Sequence, residues 1–411
     1  MVTCCASDAP GYAALVAGHI CLDVIPELTH AGAGQFLPGK LLEIGPARFS
    51  TGGAVANTGL ALNKLGVPVY LAAKVGADLF GQAIKAIVAS FGSHLADGLT
   101  VDMQAGTSYT VIIAPPGVDR TFLHHPGANH AFSAGDVPVE LFGRVRAFHF
   151  GYPPLMKRMY ADTGAQLVEL FQCAKAAGVT TSLDMALPDP ATPAGRADWG
   201  AILSRVLPYV DLFLPSLDEI LYMLRRPLYD QLSQAMPGMS VAGWLTSALL
   251  TDLSDQILEM GAGLLALKLG DRGLYVRSAG EERVASMGRG RPADVTVWAG
   301  REMWAPCFTV DVAGTTGAGD ATIAGFLAGL LRGLSPEETA LAAVGVGACC
   351  VEAPDALSGI RPWEETQLRI ASGWQQHSLG FHGPGWSHDP GRRLWRGPKD
   401  CRLAGSSTEE T

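Results

Sequence analysis

Short apolar runs alternate with longer helical segments along most of this chain, and this alternation restricts the fold more than any other feature. Strands separated by helices pair in parallel, because the helix returns the chain to the same edge of the sheet. The pattern therefore predicts an α/β fold with a mostly parallel sheet. The strand-like runs are residues 12–25, 68–76, 146–152, 179–185, 210–216 and 263–270, and two of the helical segments are residues 54–66 and 81–92.

Two stretches interrupt this rhythm. Residues 32–50 are rich in Gly and Pro, whereas residues 108–123 alternate apolar and polar positions on both sides of the turn sequence PPGVDR. The second pattern predicts an antiparallel hairpin. Such β segments often stand off the main sheet of an α/β protein as a flap. We expect a small β lid formed by about residues 30–50 and 105–125.

The C-terminal segment has a different character from the rest of the chain. Residues 371–411 are rich in Gly, Pro, His and Trp and show no apolar periodicity. Such a composition is typical of a segment without a packed core. We expect one domain over residues 1–370, followed by a loosely ordered tail.

The charge balance favours a small-molecule partner. The 411 residues carry a net charge of −9, which argues against a nucleic-acid surface or a polybasic membrane contact. Eight cysteines without a C-x-x-C pair indicate reduced thiols in a cytoplasmic protein. No apolar run reaches the roughly 18 to 20 residues of a membrane helix, and no basic residue precedes the first apolar run. We therefore expect neither a membrane span nor a signal peptide.

The sequence GTTGAGDATIAGFLAGLL, residues 314–331, places a charge in front of a long apolar helix. Gly314, Gly317 and Gly319 permit positive φ values, and helical spacing begins at about residue 321. A helix start offers unpaired N–H groups and the positive end of the helix dipole, which suit an anion such as phosphate. Two interpretations of Asp320 follow: it lies beside a phosphate cradle, or it is a simple N-cap.

Further polar residues follow the predicted strands, at the edge where open parallel sheets bind ligands. Each also has a structural explanation in a turn or a helix end, and the spacing of Ser216 and Glu219 is that of a capping pair. These candidates are Asp23, Gly52, Gly53, Asn57, Asp184, Ser216 and Glu219.

Six segments together resemble the ribokinase-like (PfkB) family of carbohydrate kinases. The strongest are STGGAVANTGLALNKLG and TTGAGDATIAGFLAGLL, and KVGADLFG, PGAN, LPSLDE and KLGDRG stand in family order. The resemblance covers about residues 11–365. It implies a three-layer α/β/α fold with a β lid, and transfer of the γ-phosphoryl group of ATP to a sugar hydroxyl with Mg²⁺. A Rossmann dehydrogenase is not indicated, since no strand precedes a G-x-G-x-x-G sequence.

The resemblance also implies roles for single residues around the glycine-rich loop. Asp320 matches the catalytic base that takes the proton of the sugar hydroxyl. The N–H groups of Gly317, Ala318 and Gly319 would stabilise charge on the transferring phosphoryl group. The residues implied to border ATP are Lys268, Gly270, Thr316, Gly317 and Gly319, and residues 345–358 should approach the adenine.

The acceptor and the metal have implied partners as well. Mg²⁺ would be held largely through water near Glu219 and Ser216, where Ser216 replaces the family's Asn. Gly314 stands where many relatives carry an Asp that helps to bind potassium, and the nearest aspartate is Asp311, so a potassium site is not implied. The implied acceptor contacts are Asp23, Gly52, Gly53, Asn57 and Asn129.

The class of acceptor is less restricted by the sequence. A free sugar or sugar acid is expected, because no Lys or Arg cluster near Asp23 or Asn57 could bind a phosphosugar. One alternative is a nucleoside kinase of the same family, with Tyr109 and Phe122 of the lid as stacking residues. Another is a non-catalytic sugar-binding regulator on the same fold. Because relatives pair through their lid strands, the resemblance also indicates a homodimer.

Overall fold

The computed structural model describes residues 11–28, 38–115, 121–235, 241–379 and 383–402. Within these residues, fifteen strands form two sheets, and thirteen α-helices accompany them. The strands are β1 Ala14–Gly18, β2 Cys21–Pro26, β3 Ala47–Gly52, β4 Val69–Gly76, β5 Leu99–Asp102, β6 Tyr109–Ile113, β7 Thr121–His125, β8 Ala147–Gly151, β9 Thr180–Leu183, β10 Leu212–Phe213, β11 Leu264–Lys268, β12 Leu274–Ser278, β13 Glu302–Ala305, β14 Ser387–Asp389 and β15 Leu394–Arg396. The helices are α1 Ala54–Lys64, α2 Leu79–Ser90, α3 Lys157–Tyr160, α4 Ala165–Ala176, α5 Trp199–Val206, α6 Leu217–Leu224, α7 Arg226–Ala235, α8 Ser247–Glu259, α9 Glu281–Ala285, α10 Val295–Trp298, α11 Ala318–Leu331, α12 Pro336–Val351 and α13 Trp363–Ala371.

The larger sheet has eleven strands in the order β14-β15-β13-β12-β11-β10-β9-β8-β1-β4-β5. All pairings from β5 through β11 are parallel, and the remaining four are antiparallel. The mostly parallel α/β architecture is therefore confirmed. Because the parallel strands point the same way, their carboxyl ends meet along one edge, where polar side chains can converge.

Helices cover both faces of this sheet and create two apolar cores. Along β1, Val16 belongs to the core that includes α1, α11 and α12, whereas Leu15 belongs to the core that includes α4, α5, α6 and α8. This alternation follows from the two-residue period of a strand buried on both faces. The result is the expected three-layer arrangement.

The smaller sheet is the lid, with the strand order β3-β2-β6-β7. The predicted hairpin is present, since β6 and β7 pair antiparallel; its turn residues 116–120 and lid residues 29–37 lie outside the described residues. The prediction of a single strand over residues 12–25 is wrong. This stretch forms two strands, β1 in the central sheet and β2 in the lid. Gly18 has φ +128° and closely approaches Gly151, which bends the chain between the two sheets.

The C-terminal segment is predicted to be a loosely ordered tail, but its described residues are packed onto the domain. Strands β14 and β15 extend the central sheet beyond β13. Arg301 on the domain side forms ion pairs with Asp400 (3.1 Å) and with Glu337 (2.7 Å), and all three side chains are buried. Each of these strands has only three residues, so they are too short to produce a visible apolar period. Residues 380–382 and 403–411 lie outside the described residues.

Two further observations concern the membrane and the thiols. Across the described ranges, no helix is both long and apolar enough to cross a bilayer. The six cysteines within those ranges are free thiols: Cys21, Cys173, Cys307, Cys349, Cys350 and Cys401.

Candidate active site

A cleft of about 920 Å³ opens where the carboxyl ends of the parallel strands meet the lid. Its three walls are the inner face of the lid, the segment after β8 and the segment after β9. The residues that line it from the lid side include Cys21, Asp23, Gly52, Gly53, Thr110, Phe122 and His124, and those from the other side include Tyr152, Leu155, Lys157, Leu187 and Pro190.

Helix α11 begins at the edge of this cleft. Gly317 is its N-cap with φ +74°, and the N–H of Ala321 donates the first intrahelical hydrogen bond to the Gly317 carbonyl. Asp320 is thus the third helical residue, and the N-cap interpretation of Asp320 is wrong. A side chain at residue 317 would also collide with Ala356, since a Cβ there would lie 2.3 Å from the Ala356 Cβ.

The Asp320 carboxylate is buried and accepts hydrogen bonds from three side chains. The Asn57 amide Nδ2 and the Tyr152 hydroxyl donate to Oδ2 at 3.0 Å and 2.7 Å, and the Thr58 hydroxyl donates to Oδ1 at 3.1 Å. Burial and the negative charge of Asp320 raise the pKa of Tyr152 well above its usual value, so its hydroxyl remains a donor. Three donors thus fix the orientation of the carboxylate, and two of them, Asn57 and Tyr152, line the cleft.

Lys268 brings positive charge to the glycine-rich loop. Its Nζ forms a 2.6 Å ion pair with Asp184, and a Cβ at Gly319 would lie 3.7 Å from the same nitrogen. Burial alone would lower the pKa of Lys268, but the carboxylates of Asp184, Glu219 and Asp320 outweigh it and raise that pKa. The ammonium group therefore stays charged beside the loop.

The loop amides are not all free to bind an anion. The Ala318 N–H donates to the Thr315 carbonyl at 3.3 Å, which differs from its predicted part in the anion hole. The Gly319 and Asp320 N–H groups precede the first intrahelical bond and stand at the positive end of the helix dipole. The loop can therefore offer an anion the helix start and the Lys268 ammonium together.

Ser216 and Glu219 form the capping pair that their spacing allows. The Ser216 N–H donates to Glu219 Oε2 at 2.6 Å, and the Glu219 N–H donates to the Ser216 hydroxyl at 3.3 Å. Glu219 nevertheless remains close enough to Lys268 to affect its pKa. Nowhere in the described part of the chain do three or more His, Cys, Asp or Glu side chains group as direct metal ligands.

The predicted acceptor residues on β2 and α1 line the cleft together. Gly52 is packed against Asp23, because a Cβ there would lie 2.5 Å from Asp23 Oδ2. Gly53 has φ +89°, and a Cβ there would lie 2.5 Å from His19 Nδ1. Burial raises the pKa of Asp23 to about 6. Both glycines thus allow carboxylate and imidazole groups to approach the backbone at the cleft floor.

Asn129 differs from its predicted role as an acceptor contact. Its side chain is fully buried, donates from Nδ2 to the Ile20 carbonyl at 2.8 Å and accepts from the Ile20 N–H at 3.3 Å. Both groups of the amide are thus used to satisfy the backbone where β1 leaves the central sheet. Asn129 positions the crossing from sheet to lid and does not line the cleft.

His19 and Tyr152 line the cleft with polar groups that no sequence pattern identifies. His19 is 2% exposed, and neither ring nitrogen has a hydrogen-bond partner within the described ranges. Burial, with the nearby imidazoles of His124 and His130, lowers the pKa of His19 well below its usual value, so the ring is neutral. Tyr152 stands at the end of the strand-like run 146–152, directly after β8, and this position at the ligand-binding edge was the available signal for it.

A sequence model of the pfkB family of carbohydrate kinases matches residues 14–363. This chain belongs to the pfkB family of carbohydrate kinases. The match includes the lid strands, the cleft residues and the glycine-rich loop of the pfkB chain.

Individual relatives of this pfkB protein are distant. Rice fructokinase-2 is 26% identical over 52% of this chain and 60% of its own length, so the chain spans about three fifths of that relative. An uncharacterized sugar kinase of Archaeoglobus fulgidus is 23% identical over 73% of this chain and 98% of its own length. Among solved structures, a Xylella fastidiosa fructokinase with bound ATP has a TM-score of 0.64 at 20% identity, covering 88% of this chain and 98% of that one. An Arabidopsis thaliana ribokinase complexed with ribose and ATP has a TM-score of 0.63 at 18% identity, covering 87% and 98%.

Gly270 and Thr316 are the remaining residues of the pfkB chain that are predicted to border the nucleotide. Gly270 follows β11 with φ +61° and has open space at its Cα, and the Thr316 carbonyl accepts from Cys350 Sγ at 3.6 Å. A Cβ at Gly314 would lie 3.0 Å from the Pro354 Cα, so an aspartate would not fit there without movement. Asp311 is exposed.

Proposed function

We propose that this protein is an ATP-dependent sugar kinase that transfers the γ-phosphoryl group to an acceptor hydroxyl. The observation that carries the proposal is the buried Asp320 carboxylate, which three donors hold at the start of α11, two of them from the cleft residues Asn57 and Tyr152. The fructokinases and ribokinases among its relatives support a sugar as the acceptor class. A non-catalytic regulator would have no use for a carboxylate oriented beside an anion site.

The chemistry assigned to Asp320 is general-base catalysis. The acceptor hydroxyl would donate its proton to the carboxylate while its oxygen forms a bond to the γ-phosphorus and the bond from phosphorus to the β-phosphate oxygen breaks. The N–H groups of Gly317 and Gly319 and the Lys268 ammonium would stabilise the charge on the transferring group. ADP leaves, and the proton remains on Asp320 until solvent removes it.

The co-substrate would lie beside the loop, against Lys268, Gly270 and Thr316. Residues 345–358, which include the end of α12 and the turn against Gly314, would face its base. Magnesium supplies charge neutralisation between the phosphates in this chemistry. Glu219 would hold water of its coordination shell, with Ser216 fixing the carboxylate through the capping pair.

The acceptor would bind on the other side of Asp320. Asp23 and Asn57 line the cleft, and the Asn57 Oδ1 atom is buried without a partner in the described part of the chain. A carboxylate and an amide can each bind adjacent sugar hydroxyls. One observation favours the nucleoside alternative: Phe122 lines the cleft. Tyr109 does not, because its ring packs against Phe80 and His125 instead.

The direct test is ADP release with ATP, Mg²⁺ and a panel of sugars, sugar acids and nucleosides. Asp320→Asn should lower turnover of the accepted substrate by roughly 10² to 10⁴-fold, since the proton acceptor is lost. Asp311→Asn is the matched control, because it removes an exposed carboxylate from the preceding loop. Turnover by Asp320→Asn at the rate of the control would show that Asp320 is not the base.

We also propose that two copies pair through their lids. Residues Phe49, Val24, Val111 and Leu123 occupy one cross-strand row, on the face opposite to Asp23 and Thr110. Phe49 and Leu123 are 58% and 56% exposed. Val24 and Val111 between them are half-buried, and an apolar row with exposed residues at both ends is typical of a protein interface.

A further inference from the structure

The polar groups of the acceptor cleft are concentrated on its lid side. Asn57 Oδ1 and both ring nitrogens of His19 are buried, line the cleft and have no partner among the described residues. Asp23 stands beside them with its carboxylate against Gly52. Buried polar atoms without partners are costly, which indicates that a ligand satisfies them. Hydroxyl groups suit this set, because they can donate to the amide oxygen and carboxylate and pair with either nitrogen of a neutral imidazole.

The opposite wall, formed by residues 187–194, is mostly apolar toward the cleft. Its polar groups are used within the segment: Asp189 Oδ1 accepts from the Ala191 N–H at 2.9 Å, and the Thr192 hydroxyl donates to the Asp189 carbonyl at 2.7 Å. The Ala194 carbonyl accepts from the Trp199 indole at 2.8 Å. What the segment leaves for a ligand is mostly hydrocarbon. Those lining residues are Leu187, Pro188, Pro190 and Pro193, joined by Pro154 and Leu155 from the neighbouring wall.

The size of the cleft exceeds the requirement of a bare monosaccharide. Its volume of about 920 Å³ is near the upper end of the roughly 300 to 1,000 Å³ typical of sites for drug-sized ligands. A bare sugar carries hydroxyls around its whole ring, and those facing Leu187 and the prolines would have no partner there. Three charged residues line this cleft, Asp23, Lys157 and Asp189, and their mixed signs do not favour an anionic ligand.

We propose that the acceptor is a sugar or polyol that carries an uncharged, ring-sized apolar substituent. Its hydroxyls bind His19, Asp23 and Asn57, and its substituent packs against Leu187 and the adjacent prolines. This class narrows the free sugar or sugar acid expected from the sequence, and it rests on the proposed kinase function because it names the acceptor of that reaction. His19 is thereby a specificity-determining residue of the polar end.

The test measures binding, so it does not require phosphoryl transfer. Calorimetry with the full chain, in the presence of ADP and Mg²⁺, compares glucose with phenyl β-glucopyranoside and ribose with inosine. We expect the substituted member of at least one pair to bind tenfold or more tightly than its parent sugar, because a buried ring gains hydrophobic free energy. Equal or weaker binding of both substituted members overturns the proposal. The proposal is also overturned if gluconate binds more tightly than both substituted ligands, because Lys157 would then bind a carboxylate in the outer cleft.

Two leucine variants locate the effect. Leu187→Asn should reduce the advantage of the substituted ligand at least threefold, since it places an amide on the apolar wall. Leu368→Asn, at an exposed leucine on α13 that does not line the cleft, is the control and should leave the difference in affinity unchanged. If Leu187→Asn leaves the ratio of the two affinities unchanged, the substituent does not pack against residues 187–194. If the kinase proposal alone failed, the binding preference would remain while no acceptor released ADP.

Discussion

The Tyr152 hydroxyl donates a 2.7 Å hydrogen bond to Oδ2 of Asp320, and the two residues are 168 positions apart in the chain. Tyr152 follows the last residue of β8 and has a left-handed backbone, with φ 65° and ψ 44°. This conformation costs an L residue about 1 to 2 kcal/mol. The end of one central strand and the start of α11 are therefore joined through a strained residue at the candidate base.

Removal of this hydroxyl should slow the reaction. Tyr152→Phe should lower kcat by about tenfold, because a hydrogen bond to a charged group contributes roughly 1.5 to 3 kcal/mol and orients the carboxylate. The KM for ATP should not change, since the ring lies on the acceptor side. Steady-state kinetics with varied ATP and acceptor measure both. Tyr209→Phe is the control, because that hydroxyl pairs with Gln172 at the opposite edge of the sheet; equal kcat values for the two variants would contradict the prediction.

The candidate site was predictable where a local pattern carried the information. The glycine-rich loop with Asp320, and the glycine pair with Asn57, are contiguous segments, and the structure brings them together. Tyr152 and His19 could not be assigned from local pattern, because their meaning depends on which strand ends become neighbours. Asn129 shows the opposite case, because its sequence motif predicts an acceptor contact that the structure does not have. Its amide instead forms hydrogen bonds with the backbone N–H and carbonyl of Ile20, 109 positions away.

Asp23 should make stability depend on pH in a defined direction. Burial raises its pKa from 3.8 to about 6, so the folded state binds the proton more strongly than the unfolded state. The stabilisation is fully present below pH 4 and is lost as pH rises to about 6, by roughly 3 kcal/mol if one pKa unit corresponds to about 1.4 kcal/mol. Asp23→Asn should therefore gain stability relative to the wild type between pH 4.5 and pH 7, measured as the difference in Tm.

A control separates this effect from general changes in charge. Asp311→Asn removes an exposed carboxylate, so its Tm difference from the wild type should be flat over the same interval. If Asp23→Asn and Asp311→Asn gave parallel pH profiles, Asp23 would not be the group that titrates.

The fold was predictable where helices separate the strands, and less so elsewhere. The parallel strands β4 and β8 to β11 coincide with the apolar runs from which the alternating pattern predicts strands. The break between β1 and β2 was missed, because Gly18 with its positive φ lies inside an otherwise continuous apolar run. Strands β14 and β15 were missed because three-residue edge strands depend on their neighbour β13 and on the ion pairs of Arg301 rather than on their own periodicity.

The C-terminal segment should therefore contribute to stability. Asp400→Asn leaves the buried Arg301 with Glu337 as its one ionic partner among the described residues, and loss of one member of a buried ion pair costs roughly 3 kcal/mol or more. Urea unfolding measures this as a lower free energy of unfolding. Asp230→Asn, which breaks the exposed pair with Arg226 at 2.8 Å, should cost less than about 1 kcal/mol. Similar losses for both variants would mean that the Arg301 network does not hold the segment.

The apolar cross-strand row on the outer face of the lid predicts that the protein forms a dimer. If Phe49 and Leu123 pack against a second copy, Phe49→Glu places a charge in an apolar interface and should convert a dimer into a monomer at micromolar concentration. Analytical ultracentrifugation measures the mass directly. Leu368→Glu adds the same charge to an exposed position on α13 and should leave the wild-type mass unchanged. Because this row lies on the lid face opposite to Asp23, the Phe49→Glu monomer should still bind the acceptor, which distinguishes loss of the dimer from damage to the cleft. A wild-type protein that sediments as a monomer would contradict the lid dimer.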